Sequence, residues 1–182
     1  MCQSNNGKPF TSGGGFSTYF AMPAYQISAV ADYFVSAANA GQSPVAGYGT
    51  GRGYPDISLA GVRYLTIIAG REITLSGTSA SAPALGGFFS NINAARIAAG
   101  KGSLGWVNPV LYANSTSFVK DITSGNIKCN AYKVCCSQGF YAAPGWDPAS
   151  GLGSLNFGKF QSVLMSLGNA NGAFRRPTPT PT

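Results

Sequence analysis

Histidine is absent from this 182-residue chain, and acids are scarce. Without imidazole, no Ser-His-Asp triad can be completed from its own residues. The only carboxylate side chains are Asp32, Asp56, Glu72, Asp121 and Asp147, so each can be accounted for individually. Charged residues make up 9% of the chain, and the net charge of +7 reflects missing acids rather than basic clusters. Lys and Arg are scattered, with Arg175-Arg176 the one adjacent pair, which gives nucleic-acid binding little support. No apolar run approaches the roughly 20 residues that span a bilayer. Positions 1–9 show no signal-peptide pattern although the Gly-, Ser- and Asn-rich composition suits a secreted or lumenal fold, and a truncated N-terminus is expected.

Cysteine is also sparse. Cys129, Cys135 and Cys136 lie together in CNAYKVCC, and Cys2 stands alone. A zinc site would need all four thiolates; a local disulfide from Cys129 to Cys135 or Cys136 fits better. The two remaining cysteines pair with each other or with a segment outside the chain.

The chain is organised around SGTSASAP (76–83). This stretch lies between the β-type Ile73-Thr74-Leu75 and a helix expected over 80–98, where Leu85, Phe88, Phe89 and Ile92 share one face, continued by Ala95 and Ala99. A serine at a strand-to-helix junction sits beside unpaired first-turn amides and the positive end of the helix dipole, which stabilise a developing oxyanion. A Ser/Thr-rich cap with Pro83 in the first turn explains the same residues without chemistry.

Elsewhere a helix is expected over 23–38, a Gly/Pro/Ser-rich loop over 40–54, and a hairpin from 62–69 and 73–75 with Glu72 solvated at its turn. A short helix carries Pro109, 118–123 is strand-like, and a last amphipathic helix covers 157–167. The glycines at 13–15 suit either close packing or a flexible loop. Asp56, after Gly-Tyr-Pro, reads as a structural turn residue. The chain divides into one domain over 1–170 and a Pro/Thr-rich tail or linker over 171–182.

Four stretches in order, SGGGFS (12–17), GRGYPDIS (51–58), SGTSASAP (76–83) and VKDIT (119–123) with PGWDPASGLGS (144–154), resemble the sedolisins, the serine-carboxyl peptidases, in their tripeptidyl-peptidase branch. The resemblance covers about 10–168 and looks like the C-terminal part of the catalytic domain. It implies an α/β, subtilisin-like fold, a mostly parallel sheet flanked by helices, truncated at the N-terminus. It implies Ser79 as nucleophile in acid-acting hydrolysis of peptide or protein substrates, with the activating Glu/Asp pair and the oxyanion Asp upstream of this segment. A carboxylate base suits low pH, where imidazole would be protonated.

The resemblance further implies one calcium ion (Ca2+), held by the side chains of Asp121 and Asp147 and the carbonyls of Ile122, Ala143 and Gly145, an all-oxygen set as a hard cation requires. Ala143 stands where relatives often have Gly. A propeptide and a secreted or lysosomal/vacuolar location are implied as well. The alternative is a non-catalytic calcium-binding extracellular module or pseudoenzyme. These 182 residues alone are expected to be inactive.

Overall fold

Two glycines make the first strand pair possible. In the computed structural model, which describes residues 3–4, 8–42, 49–130 and 132–168, β1 (Gly15–Ala21) pairs antiparallel with β2 (Gly51–Tyr54). A Cβ on Gly51 would overlap the Ser17 carbonyl, and one on Gly53 would lie 2.5 Å from the Trp146 ring. Only glycine allows that approach. β2 falls inside the loop expected over 40–54, and the glycines entering β1 meet the close-packing alternative; neither strand has a local signal, because glycine lowers strand propensity and the pairing is long-range.

The Ala24–Gln26 3-10 turn leads into α1 (Ile27–Asn39), whose Val30, Tyr33 and Ala37 recur at helical spacing and are buried. The expected hairpin is formed by β3 (Tyr64–Ile68) and β4 (Arg71–Leu75), but its turn is Ala69-Gly70, so Glu72, exposed as anticipated, lies in β4 opposite Ile67 and not at the turn. Then come α2 (Thr78–Ala98), α3 (Asn108–Phe118), β5 (Val119–Lys120), β6 (Ser154–Leu155) and α4 (Phe157–Ser166). The expected strand over 118–123 is thus the end of α3 followed by a two-residue strand.

The expected mostly parallel sheet does not appear among the described residues. All three strand pairs are antiparallel and two-stranded, and a parallel bridge joins Ser58 to Ser154. A parallel pair needs a long crossover, whereas β3 and β4 are joined by a tight turn.

The core gathers where α1, α3 and α4 meet the 140–152 loop. Phe16, Tyr33, Phe118, Trp146, Phe160 and Leu164 are all buried there. Burial of a ring such as Phe160 contributes about 2–3 kcal/mol. Phe89 and Phe118 both pack on Phe160, tying α2, α3 and α4 together.

Arg96 enters this core unannounced by the sequence pattern. Its guanidinium is almost fully buried and donates to the carbonyls of Gly102, Leu164, Leu167 and Gly168. Lys101, just past the carboxyl end of α2, sends its Nζ to the carbonyls of Met165 and Leu167. Both cations therefore cap α4, whose last carbonyls have no intrahelical donors.

Cys129 and Cys135 form a disulfide, which settles the local pairing and removes the four-thiolate zinc alternative. Cys136 is exposed with a free thiol. Cys2 and the 171–182 tail lie outside the described residues. No helix among the described residues is long and apolar enough to cross a membrane.

Candidate active site

α2 begins at Thr78, two residues earlier than expected, so Ser79 is the second helical residue. The residue before the helix, Gly77, has φ 154° and ψ 153°, a conformation essentially reserved for glycine. A Cβ there would sit 4.0 Å from Ser79 Oγ. Glycine thus permits the sharp entry, and even a Cβ there would make only ordinary contact with Ser79. Ser79 is exposed, and as a first-turn residue its amide has no intrahelical acceptor.

Pro83 falls inside the helix rather than in its first turn. Lacking an N–H, it cannot donate to the carbonyl four residues back, that of Ser79. The helix start is clipped to the chain before the hairpin: Gly77 N donates to Gly61 O at 2.7 Å, and Ser81 Oγ donates to Ala60 O at 2.7 Å.

An open cleft of about 690 Å³ lies against this end of α2. Its walls are Thr78, Ser81, Ala82 and Leu85 from the helix, most of the 54–61 strip, and residues 12–14 with Ala149. Ser79 is next to these lining residues in the chain but is not one of them. No charged side chain lines the cleft.

None of the five acids is hydrogen-bonded to Ser79 among the described residues. Asp32 and Glu72 are exposed, and the other three are engaged elsewhere. Asp56, read from sequence as a turn residue, is the centre of a network. It accepts from Arg52 at 2.6 Å, Asn108 at 3.0 Å, Tyr112 at 3.0 Å and Gln26 at 3.5 Å. Burial pushes the Tyr112 phenol far above its ordinary range, and the Asp56 charge adds to the shift. The network anchors the cleft wall, since Pro55 and Ile57 on either side of Asp56 line the cleft. Sequence reasoning missed it because Gln26, Tyr112 and Asn108 are remote in the chain.

The two VKDIT and PGWDP segments are brought together. Gly145 N donates to Asp121 Oδ2 at 2.8 Å, and Ala143 N donates to Asp147 Oδ2 at 3.0 Å. Asp147 is fully buried and also accepts from the amides of Ala149 and Ser150 and from the Ser150 hydroxyl. Burial raises its pKa to about 6, opposed by those hydrogen bonds.

No family model matches the chain. Individual relatives do. Tripeptidyl-peptidase SED1 of Arthroderma otae is 39% identical over 161 residues, covering 86% of this chain and 23% of the relative. Tripeptidyl-peptidase 1 of Macaca fascicularis is also 39% identical over 161 residues, covering 86% of this chain and 28% of its own length. A solved structure of Pseudomonas sedolisin, a serine-carboxyl proteinase complexed with pseudo-iodotyrostatin, superposes with a TM-score of 0.65 at 28% identity, covering 90% of this chain and 39% of that one. The chain belongs to the sedolisin family.

Sedolisin relatedness extends over most of the chain, yet the chain spans only about a quarter of the length of the curated relatives it matches. The calcium that the sedolisin resemblance implies can be tested against the donors present. The carbonyls of Ile122, Ala143 and Gly145 accept no hydrogen bond among the described residues, and the one salt bridge there is Arg52–Asp56, so Asp147 is buried without a cationic side chain paired to it. Carbonyl oxygens with spare lone pairs, near a buried carboxylate that is hydrogen-bonded but has no cationic partner, fit a hard cation. Three or more His, Cys, Asp or Glu side chains do not cluster among the described residues, in keeping with a set made mainly of carbonyls.

Proposed function

We propose that the chain is the serine-bearing, C-terminal part of a sedolisin-class serine peptidase that hydrolyses peptide bonds at acid pH, in a secreted or lysosomal/vacuolar setting. The observation that carries this reading is Ser79 itself. It is an exposed residue on the first turn of α2, entered through Gly77 and beside a neutral cleft, in a chain related to tripeptidyl-peptidases.

In this reading Ser79 attacks the scissile carbonyl, and its own amide stabilises the oxyanion. The proton of Ser79 passes to a carboxylate supplied by the upstream part of the same domain, since the chain's own acids are engaged elsewhere or exposed. The subtilisin-like, mostly parallel sheet would likewise be completed by that upstream part. Asp121, Ile122, Ala143, Gly145 and Asp147 would hold calcium, which when bound supplies the counter-charge to the two carboxylates.

The second reading, a calcium-binding module without catalysis, is favoured by one observation: no acid of this chain reaches Ser79. The two readings separate on the reading frame upstream of the Met1 codon. A frame encoding a helical Glu-x-x-x-Asp and an SGDSG-like stretch, whose product cleaves peptides at acid pH and loses at least a thousandfold in kcat on Ser79→Ala, establishes the peptidase. Cleavage that survives Ser79→Ala, or the absence of such a frame, rejects it.

A further inference from the structure

The first turn of α2 receives little support from its own helix. Gly77, at its N-cap, has no side chain, so no side-chain hydrogen bond caps the helix. Pro83, inside the helix, has no N–H to give the Ser79 carbonyl. Both of these ordinary anchors are missing beside the candidate nucleophile.

What holds the turn lies outside the helix. Gly77 N donates to Gly61 O at 2.7 Å, and Ser81 Oγ donates to Ala60 O at 2.7 Å. Thr78 and Ser79 make no side-chain hydrogen bond among the described residues, so Ser81 is the side chain that tethers the turn. The acceptor is fixed as well. Tyr64 OH donates to the same Ala60 carbonyl at 2.6 Å, which occupies both lone pairs of that oxygen. Tyr64 opens β3 opposite Leu75, and Arg63 N donates to Ser76 Oγ at 3.1 Å. The hairpin thereby locks this acceptor to the chain entering α2.

Ser79 lies midway between the tethered residues Gly77 and Ser81. A turn attached at one point can pivot, and attachment on both sides of Ser79 removes that freedom. Attack by a hydroxyl needs a narrow range of distance and angle, and the amide that would serve the oxyanion belongs to the same residue. A purely structural role is poorly served by this bond. Ser81 is half-buried, Ala60 is exposed, and alanine would be a better helix former than serine at position 81.

We propose that Ser81 is a positioning residue: bonded to the Ala60 carbonyl that Tyr64 holds, it fixes the first turn of α2 so that Ser79 presents its hydroxyl and amide in one orientation. The inference rests on the peptidase reading for the role of Ser79. It goes beyond that reading in naming a side chain that acts through the nucleophile's backbone.

The first measurement is amide hydrogen exchange on the 182-residue chain, which needs no activity. Ser81→Ala is expected to speed exchange at Gly77 N about five- to tenfold, the worth of one net hydrogen bond. Exchange at Phe160 N, which donates to Asn156 O in α4, is expected to stay at the wild-type rate. Ser81→Thr, which keeps the hydroxyl, is expected to restore protection at Gly77. The second measurement is steady-state kinetics of the catalytically complete protein. Ser81→Ala is expected to lower kcat about ten- to a hundredfold with KM changed less than about twofold, and Ser81→Thr to recover most of the loss.

Exchange at Gly77 that is unmoved by Ser81→Ala, or raised equally at Phe160, overturns the inference. A peptidase dependent on Ser79 whose kcat survives Ser81→Ala rejects only the Ser81 assignment. A loss carried by KM alone, or one that Ser81→Thr fails to recover, rejects it as well. The peptidase reading fails on a different result, cleavage that persists in Ser79→Ala. The exchange ratio then still decides whether Ser81 holds the turn.

Discussion

The amide of Gly145 donates to Oδ2 of Asp121 across 2.8 Å, joining stretches that lie 24 residues apart in the chain. The bond ties the Asp121 carboxylate to the 143–147 loop, whose Ala143 amide donates to buried Asp147. If calcium occupies this place, saturating it at a hundredfold excess over Kd should stabilise the chain by about 2.7 kcal/mol, through binding the folded state alone. Thermal unfolding with calcium and with a chelator measures the difference. Asp121→Asn should erase most of the calcium-dependent rise in Tm, and an equal rise in wild type and variant would rule these ligands out.

Gly77→Ala should cost about 1–2 kcal/mol, because φ 154° with ψ 153° strains any residue bearing a Cβ. Urea unfolding gives the stability term. In a catalytically complete protein the same variant should also lower kcat, since relieving the strain at residue 77 shifts the helix start that carries Ser79.

Arg96→Met should destabilise the chain by about 3 kcal/mol. Methionine fills much of the volume but leaves the carbonyls of Gly102, Leu164, Leu167 and Gly168 without their donors. Amide hydrogen exchange in α4 should rise in that variant more than exchange in α1. Uniform protection across both helices would contradict the assignment of Arg96 as the cap of α4.

Tyr33 predicts an alkaline limit. Burial first, and the Asp147 charge in addition, raise its phenol from 10.0 to about 12, against the opposing hydrogen bond from the Tyr141 amide. The folded chain therefore binds more protons than the unfolded chain between those values. The stability this group contributes is complete below pH 10 and is lost as pH rises to about 12. Tyr33→Phe should flatten that part of the stability curve, which denaturant midpoints at stepped pH would reveal.

Periodicity was enough to read α1, α2 and α4, and Gly70 marked the β3–β4 hairpin to within one residue of its turn, because those signals are local. β1 and β2 were illegible for the opposite reason. Their glycines look like loop until Trp146 and Ser17 are seen pressing against them. Arg96 hid in the same way, since a charge on a helix normally marks the solvent face and here its partners are carbonyls of another helix. At the candidate site, the position of Ser79 could be read from its motif, as could the pairing of the VKDIT and PGWDP segments through the family resemblance. The Asp56 network could not, because four remote side chains converge on it without any repeating pattern.

The guanidinium of Arg96 also determines how the chain would respond to being pulled. A tension applied at Gly168 would not simply peel α4 from its last turn, because that carbonyl and those of Leu164 and Leu167 are held by a side chain rooted in α2. The load would pass directly to α2, which carries Ser79 in its first turn, so a tether at this end would mechanically address the candidate nucleophile at the other end of that helix.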